Sequence, residues 1–457
     1  QTLPSGTVGL GLGEDGTFLL TNSDGLSSYD LASGTVQTIA SWRELGAKPD
    51  AEQIFQTEDG YVLFSPNGEA ATTLFRQVGA GNAKTVLTLA VAADCPVWYE
   101  FTQLFENFNL SQQEYQIDYT IYSDSPYGDA EPMDVLRTEI MAGQSPDLFA
   151  FYSDGNQAPP LAPRAVCADL RELLPDVTED SLLPGLFDLL TQDGALYVLP
   201  LTVRVDTLVM PSNLIGSPGV TLEDLETARE KMPEDWVPVD SWNTPGNLFG
   251  LTAAFCIGRF VDRETGTCRF ETQEFIDILD WCKNWGGDGS MPEAPEKTLM
   301  KLGWISSLSW LASREDIAKE WFDGAGYTYA GYPVGSGGSA YLVLTSLGVS
   351  TSCQNLAGAK AFLAYCFSGK QESGLPANME VLREELAQYK LGNRTNWYGE
   401  PETISEADEE KFMELLGSVT VLEGMDKSLE DILSEEANAY FAGAATAEQT
   451  ARTIQSR

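Results

Sequence analysis

The chain contains no histidine. Histidine is the side chain that titrates near neutral pH and the commonest metal ligand. Its absence removes Ser-His-Asp and Cys-His catalysis at once, and no resident metal or cofactor is expected. Basic residues are scarce as well: 27 Lys and Arg stand against 68 Asp and Glu, a formal net charge of −41. Such a surface repels phosphate backbones and anionic lipid, so neither nucleic acid nor a headgroup layer is an expected partner. No apolar run is long enough to cross a bilayer. The first residues, Gln1-Thr2-Leu3-Pro4, do not read as a signal peptide, so any export segment or anchor is expected in a removed or omitted N-terminal region. The seven cysteines, Cys95, Cys167, Cys256, Cys268, Cys282, Cys353 and Cys366, include no CxxC pair, which argues against zinc or iron-sulfur ligation. Cys282 and Cys366 fall on apolar helical faces, where a thiol acts as a small hydrophobe. A Cys256 to Cys268 bridge stays open.

What is present divides by texture. A length of 457 residues suggests about three domains at ~150 residues each. Residues 1–84 read as β-hairpins. Glu14-Asp15-Gly16-Thr17-Phe18-Leu19-Leu20 is echoed by Glu58-Asp59-Gly60-Tyr61-Val62-Leu63-Phe64, at the roughly 40–45-residue period of a four-stranded propeller blade. Asp-Gly favours tight hairpin turns. The segment is therefore expected to hold two blade-like units whose edges need covering; a β-meander cap with a chance echo is the alternative.

From Thr85 the pattern turns α/β. Residues 86–91 form a buried strand, Phe101, Leu104, Phe105 and Phe108 share a helical face, 116–122 alternates, 133–141 is helical, and 146–151 is a third strand. This order implies parallel pairing with right-handed crossovers and ligands at the carboxyl ends of the strands. Asp193-Gly194 then launches 195–210, a β-rich run containing Pro200. Proline removes a ladder donor, so two strand segments joined by a bend are expected there. A second such run, 340–350, could carry the chain back. Two crossings imply two lobes with a cleft; two core strands of one sheet are the alternative. Thr221 and Asp224, and Thr446 and Gln449, have capping-box spacing. Residues 234–250, rich in Trp, Pro, Asn and Gly, read as loop, and Gly369 and Gly443 as helix stops.

Several segments together resemble the extracellular solute-binding proteins of ABC importers (family 1, the group that includes maltose-binding protein) over roughly residues 85–457. Ala142-Gly143-Gln144-Ser145-Pro146-Asp147-Leu148 is similar to the family's AGxxPD segment, and 193–201 to its DGxxYxxP run. Gly331-Tyr332-Pro333 resembles its approach to the second crossing. Residues 357–368 resemble a helix with an Ala-x-x-Phe-Leu pattern, and Tyr440-Phe441-Ala442-Gly443 with Ile454-Gln455-Ser456-Arg457 the family's ending. Met210-Pro211-Ser212-Asn213 departs from its usual Tyr-Asn pair, and the front segment lies outside its plan. The resemblance implies an α/β, two-lobed fold of the periplasmic-binding-protein type (type II) with a hinge, preceded by the all-β segment. The expected limits are 1–84 for the front, 85–200 and 341–457 mostly for lobe 1, and 201–340 for lobe 2. It also implies a monomer on the extracellular face of a bacterial membrane, lipid-anchored, that delivers its ligand to ABC permease subunits.

Sugars present apolar CH faces fringed by hydroxyls, which rings and small polar groups recognise. Trp98, Asp154, Trp242, Trp304, Trp310 and Tyr332 have suitable types in expected loops and are the candidate ligand-binding residues. Core packing explains any single tryptophan equally well. The resemblance favours Trp310, where family members often stack an aromatic on ligand. Trp281, Trp285 and Trp321 are expected in the core, and Arg204 and Asp206 pair at the hinge or touch ligand. A glycosidase using two carboxylates and an adhesion module built on the front segment are the alternatives to a neutral-sugar binder.

Overall fold

Two long strands organise the body of the molecule. In this computed structural model the described residues are 3, 6–13, 16–22, 24–45, 51–64, 71–75, 84–93, 95–97, 99–123, 132–153, 163–262, 265–312, 314–335, 337–369, 374–396, 398–425 and 427–457. Asp193 and Gly194 both adopt positive φ, 49° and 75°, between the paired strands Thr191–Gln192 and Ala195–Leu196. Positive φ at both central residues is what a two-residue type I′ hairpin requires. The chain then enters the strand Leu199–Pro211. It pairs antiparallel with Ser339–Val349, from Leu199 opposite Leu347 to Asp206 opposite Ala340.

Both sequence readings of these runs therefore meet in one arrangement: they are core strands of one sheet, and they pass through both lobes. The expected split at Pro200 is not found. The strand stays continuous and takes up the irregularity as register shifts between Pro200 and Val203, a bulge of the kind that bends a strand and increases its twist.

Nine strands make this sheet. The main order is Lys301–Ile305, Leu199–Pro211, Ser339–Val349, Leu148–Tyr152, Thr85–Ala93 and Tyr115–Ser123, with three short strands alongside. The last three in this order pair parallel, as the β-α-β-α-β pattern predicts, with the helices Tyr99–Ser111 and Pro132–Met141 between them in the chain. One apolar cluster gathers Leu87, Phe105, Phe149, Phe362, Leu382 and Phe412. A second gathers Phe249, Phe275, Trp281, Trp285, Tyr332, Leu433 and Tyr440. Trp281 and Trp285 are thus core residues, and Trp321 packs half-buried against the first cluster.

A third passage between the lobes was not anticipated. The helix Glu406–Gly417 contributes Phe412, Leu415 and Leu416 to the first core. The strand Val419–Leu422 follows, and the helix Lys427–Phe441 contributes Leu433, Ala437 and Tyr440 to the second. Four residues are too few to show a readable alternation. The loop expected over 234–250 ends early, because Thr244 caps the helix Pro245–Phe260 by accepting from Asn247 N–H, with proline in its first turn. Proline is favoured there since its missing N–H needs no partner. The capping boxes at Thr221 and Thr446 form as expected. Cys256 and Cys268 are both free, so that bridge is absent.

The front segment forms one seven-stranded sheet rather than two blades. Two meanders join where Gly9–Leu12 pairs parallel with Gln53–Thr57. A Cβ at Gly9 or Gly11 would come 2.1 Å from the carbonyl oxygens of Ala51 and Ile54, so this close junction needs glycine. Leu19, Leu26, Trp42, Ala51, Ile54 and Leu63 form its own small core, with Trp42 Nε1 donating to the Asn22 carbonyl at 2.9 Å. Glu14 and Asp15 of the sequence echo lie outside the described residues. Among the described residues no helix is long and apolar enough to cross a membrane.

Candidate ligand cleft

Residues directly opposite each other in neighbouring strands share a face of the sheet. Val421, Ala340, Asp206 and Trp304 form such a row across four strands. Side chains two residues apart on one strand also share a face, which brings Arg204 beside Asp206 and Leu302 beside Trp304. Arg204 grips Asp206 with two bonds, Nε to Oδ1 at 2.7 Å and Nη2 to Oδ2 at 2.6 Å. The Asp206 side chain is only 3% exposed. A buried pair is held in place chiefly because losing one partner strands the other's charge.

The ion pair walls a pocket of about 260 Å³ lined also by Leu251, Leu302, Gly303, Trp304 and Tyr332. Trp304 is 40% exposed, and so is Trp310. Their rings meet edge to face, 6.3 Å between centroids. The guanidinium of the buried Arg314 lies 5.6 Å from the Trp310 ring and 5.3 Å from Trp321, a cation–π arrangement that steadies the exposed indole. Both tryptophans were expected in loops. Trp304 instead sits on the edge strand Lys301–Ile305 and Trp310 on the short helix Ser309–Ala312.

Tyr332 lines the pocket but is buried rather than at a rim, stacked on Phe255 at 4.9 Å. Burial, followed by the neighbouring carboxyls of Glu423 and Asp206, pushes its hydroxyl pKa well up. Trp242 is half-exposed and is not among the pocket-lining residues. Its loop is pinned by the Asp240–Lys301 ion pair and by Ser241, whose N–H and hydroxyl donate to Glu296 at 2.7 and 2.5 Å. Trp98 and Asp154 lie outside the described residues. Of the candidates, Trp304 and Tyr332 therefore line the pocket with the Arg204–Asp206 pair, while Trp310 is not among the lining residues and adjoins it through its edge-to-face contact with Trp304.

Sequence reasoning missed Glu423. It is buried, no hydrogen-bond donor reaches either carboxyl oxygen, and burial followed by the charge of Asp206 raises its pKa well above the usual carboxylate range. Nothing marks one acid among 68 before the fold places it. Near the bend, the Thr202 and Thr345 hydroxyls bond at 2.7 Å across the crossing strands, and Ser339 donates to Thr207 at 2.9 Å. Among the described residues no group of His, Cys, Asp and Glu could hold a metal ion.

Curated protein sequences give no match. Among solved structures, the sugar-binding protein MalE from Xanthomonas citri aligns with a TM-score of 0.55 at 16% identity, covering 82% of this chain and 96% of that one. A family 1 extracellular solute-binding protein from Alicyclobacillus acidocaldarius gives 0.54 at 14% identity, with 82% and 97% covered. The cyclic alpha-maltosyl-1,6-maltose binding protein of Arthrobacter globiformis gives 0.51 at 14%, with 82% and 97% covered. At these identities the likeness is one of fold, the two-lobed α/β architecture built on the crossing strands. The family model for bacterial extracellular solute-binding proteins matches residues 103–373, a span holding the first two crossing strands and every lining residue of the pocket, and the chain belongs to that family.

Proposed function

We propose that this chain is the substrate-binding component of an ABC importer, taking a neutral mono- or oligosaccharide at the pocket beside its first crossing strand. The observation that carries the reading is the half-exposed Trp304, which lines the pocket with the fixed Arg204–Asp206 pair and meets the half-exposed Trp310 edge to face. Indole faces suit sugar CH surfaces, and the ion pair gives the pocket a fixed polar wall. Two of the structures compared above are named for binding sugars, which supports the same class. The proposed partners are membrane permease subunits, and the proposed setting is the extracellular face of the membrane with the monomer lipid-anchored. Trp98, Asp154 and Trp242 remain proposed contacts that closure could bring to ligand.

A binding role is favoured over a glycosidase. Asp206 is engaged by Arg204, and the Glu423 oxygens are sealed from solvent, so the two carboxyls offer a glycosidic bond no accessible acid and base. Closure works by rotation about the crossing strands while each lobe stays rigid. The ligand drives it only through contacts that exist in the closed state. Micromolar affinity corresponds to about 8 kcal/mol, so one stacked indole worth a few kcal/mol decides much of the balance.

The test is a thermal-shift screen over neutral sugars, amino acids, phosphate esters and divalent metals, followed by calorimetry and small-angle scattering. A sugar should raise the melting temperature by mass action and reduce the radius of gyration. Trp310→Ala should weaken its binding at least tenfold. Tight binding of a phosphate ester or metal with no sugar response would sink the ligand class, and an unchanged radius despite proven binding would sink the hinge.

A further inference from the structure

Glu423 follows directly on the strand Val419–Leu422, in the third passage between the lobes. Its N–H donates to the Tyr341 carbonyl at 2.7 Å. Val421 lies opposite Ala340, which lies opposite Asp206. Glu423, two residues beyond Val421, therefore shares the face that carries Arg204 and Asp206. It is 7% exposed, and no hydrogen-bond donor reaches either oxygen.

Among the described residues the charged and titratable groups around it are few. Asp206 and Arg204 come from the first crossing strand, and Tyr332 from the segment before the second. The second crossing strand presents Ala340 and Leu342 on this face, and the helix Pro245–Phe260 presents Leu251 to the pocket. One guanidinium thus serves two carboxyls, and its Nε and Nη2 are committed to Asp206. Two like charges sharing a buried site with one cation do not both ionise readily. The carboxyl lacking the guanidinium keeps the proton, and a protonated Glu423 gains a donor to aim at the Asp206 carboxylate.

We propose that Glu423 is a positioning residue: as a neutral acid it donates a hydrogen bond to Asp206, fixing the Arg204–Asp206 wall of the pocket and tying the third passage to the first. The role matters for ligand only if this pocket is the ligand site, as proposed above, but the chemistry itself exists in the empty protein. Burial first, and then Asp206, raise the Glu423 pKa well above 4.5, with Arg204 opposing in part. The folded state therefore holds a proton that the unfolded state has released. Stability from this group is fully present below the unfolded value and is lost as pH rises from there to the raised folded value.

The experiment uses ligand-free protein. Infrared difference spectra in D2O at pH 7, wild type minus Glu423→Gln, should show the carbonyl band of a protonated carboxylic acid, and this band should vanish on alkaline titration of the wild type. Melting temperatures should fall more steeply with pH above 4.5 in the wild type than in Glu423→Gln, whose amide donates the same hydrogen bond but cannot ionise. Parallel melting curves, or no acid band in the difference spectrum, overturn the proposal. Should the variant fold poorly, the alkaline titration of the wild-type band decides alone: a band already absent at pH 7 overturns it. Because no sugar is involved, failure of the sugar reading and failure of this inference are separate results.

Discussion

The two large sheets of this molecule solve the burial problem in opposite ways. In the nine-stranded sheet the pairing joins residues far apart in the chain, such as Leu199 with Leu347, and a strand like Leu148–Tyr152 is buried along its whole length. Sheets covered on both faces read as near-continuous apolar runs. In the seven-stranded sheet most neighbours are consecutive hairpin strands. One face carries the small core containing Leu19, Ile54 and Leu63, while on the other Leu12 and Phe55 stand opposite each other at 68% and 53% exposure. The difference teaches where stability resides: in the body it comes largely from pairings between segments far apart in the chain, and in the front from contacts within one short segment.

The largest test is on the body. Phe105 is fully buried and meets the rings of Phe101, Tyr119 and Phe362, so Phe105→Ala should cost about 3–5 kcal/mol in the main denaturant transition. A loss below about 1 kcal/mol would mean the site collapses freely and the core is not cooperative there. Next comes Leu63→Ala in the front core, where Leu63 is 1% exposed. A local loss of about 2–5 kcal/mol is expected, seen as faster amide exchange over 53–64 with the main transition unmoved. An equal shift of both would merge the two sheets into one unit. The smallest effect should follow deletion of residues 1–84, which is expected to leave sugar affinity within a few-fold. Complete loss of binding in a still-folded protein would contradict the separation altogether.

Much of the body was legible because its signals are local. The face of Phe101, Phe105 and Phe108 follows helical spacing, and those residues are indeed buried. The Thr221 and Thr446 boxes close within four residues, and Asp193-Gly194 makes its hairpin. The candidate cleft was only partly legible. Trp304, Trp310 and Tyr332 were named from residue type, but their placement on a strand, on a short helix and in a buried stack was not. Trp242 and Trp310 have the same chemistry and half-exposure, yet neither lines the pocket, and Trp310 adjoins it only through Trp304.

What the amino-acid order by itself determined is what depends on near neighbours and on totals. It set the hairpin turns, helix caps and strand periodicity, and its charge and lack of histidine excluded whole classes of chemistry. Which distant strands pair, and in what register, was decided only in three dimensions. The parallel junction of Gly9–Leu12 with Gln53–Thr57 turned two meanders into one sheet. The row from Val421 to Trp304 brought one arginine and two carboxyls together at a buried site. A side chain's desolvation and partners belong to its tertiary surroundings rather than to its sequence neighbours, and for that reason Glu423 stays indistinguishable from the other acids until the fold buries it beside Asp206.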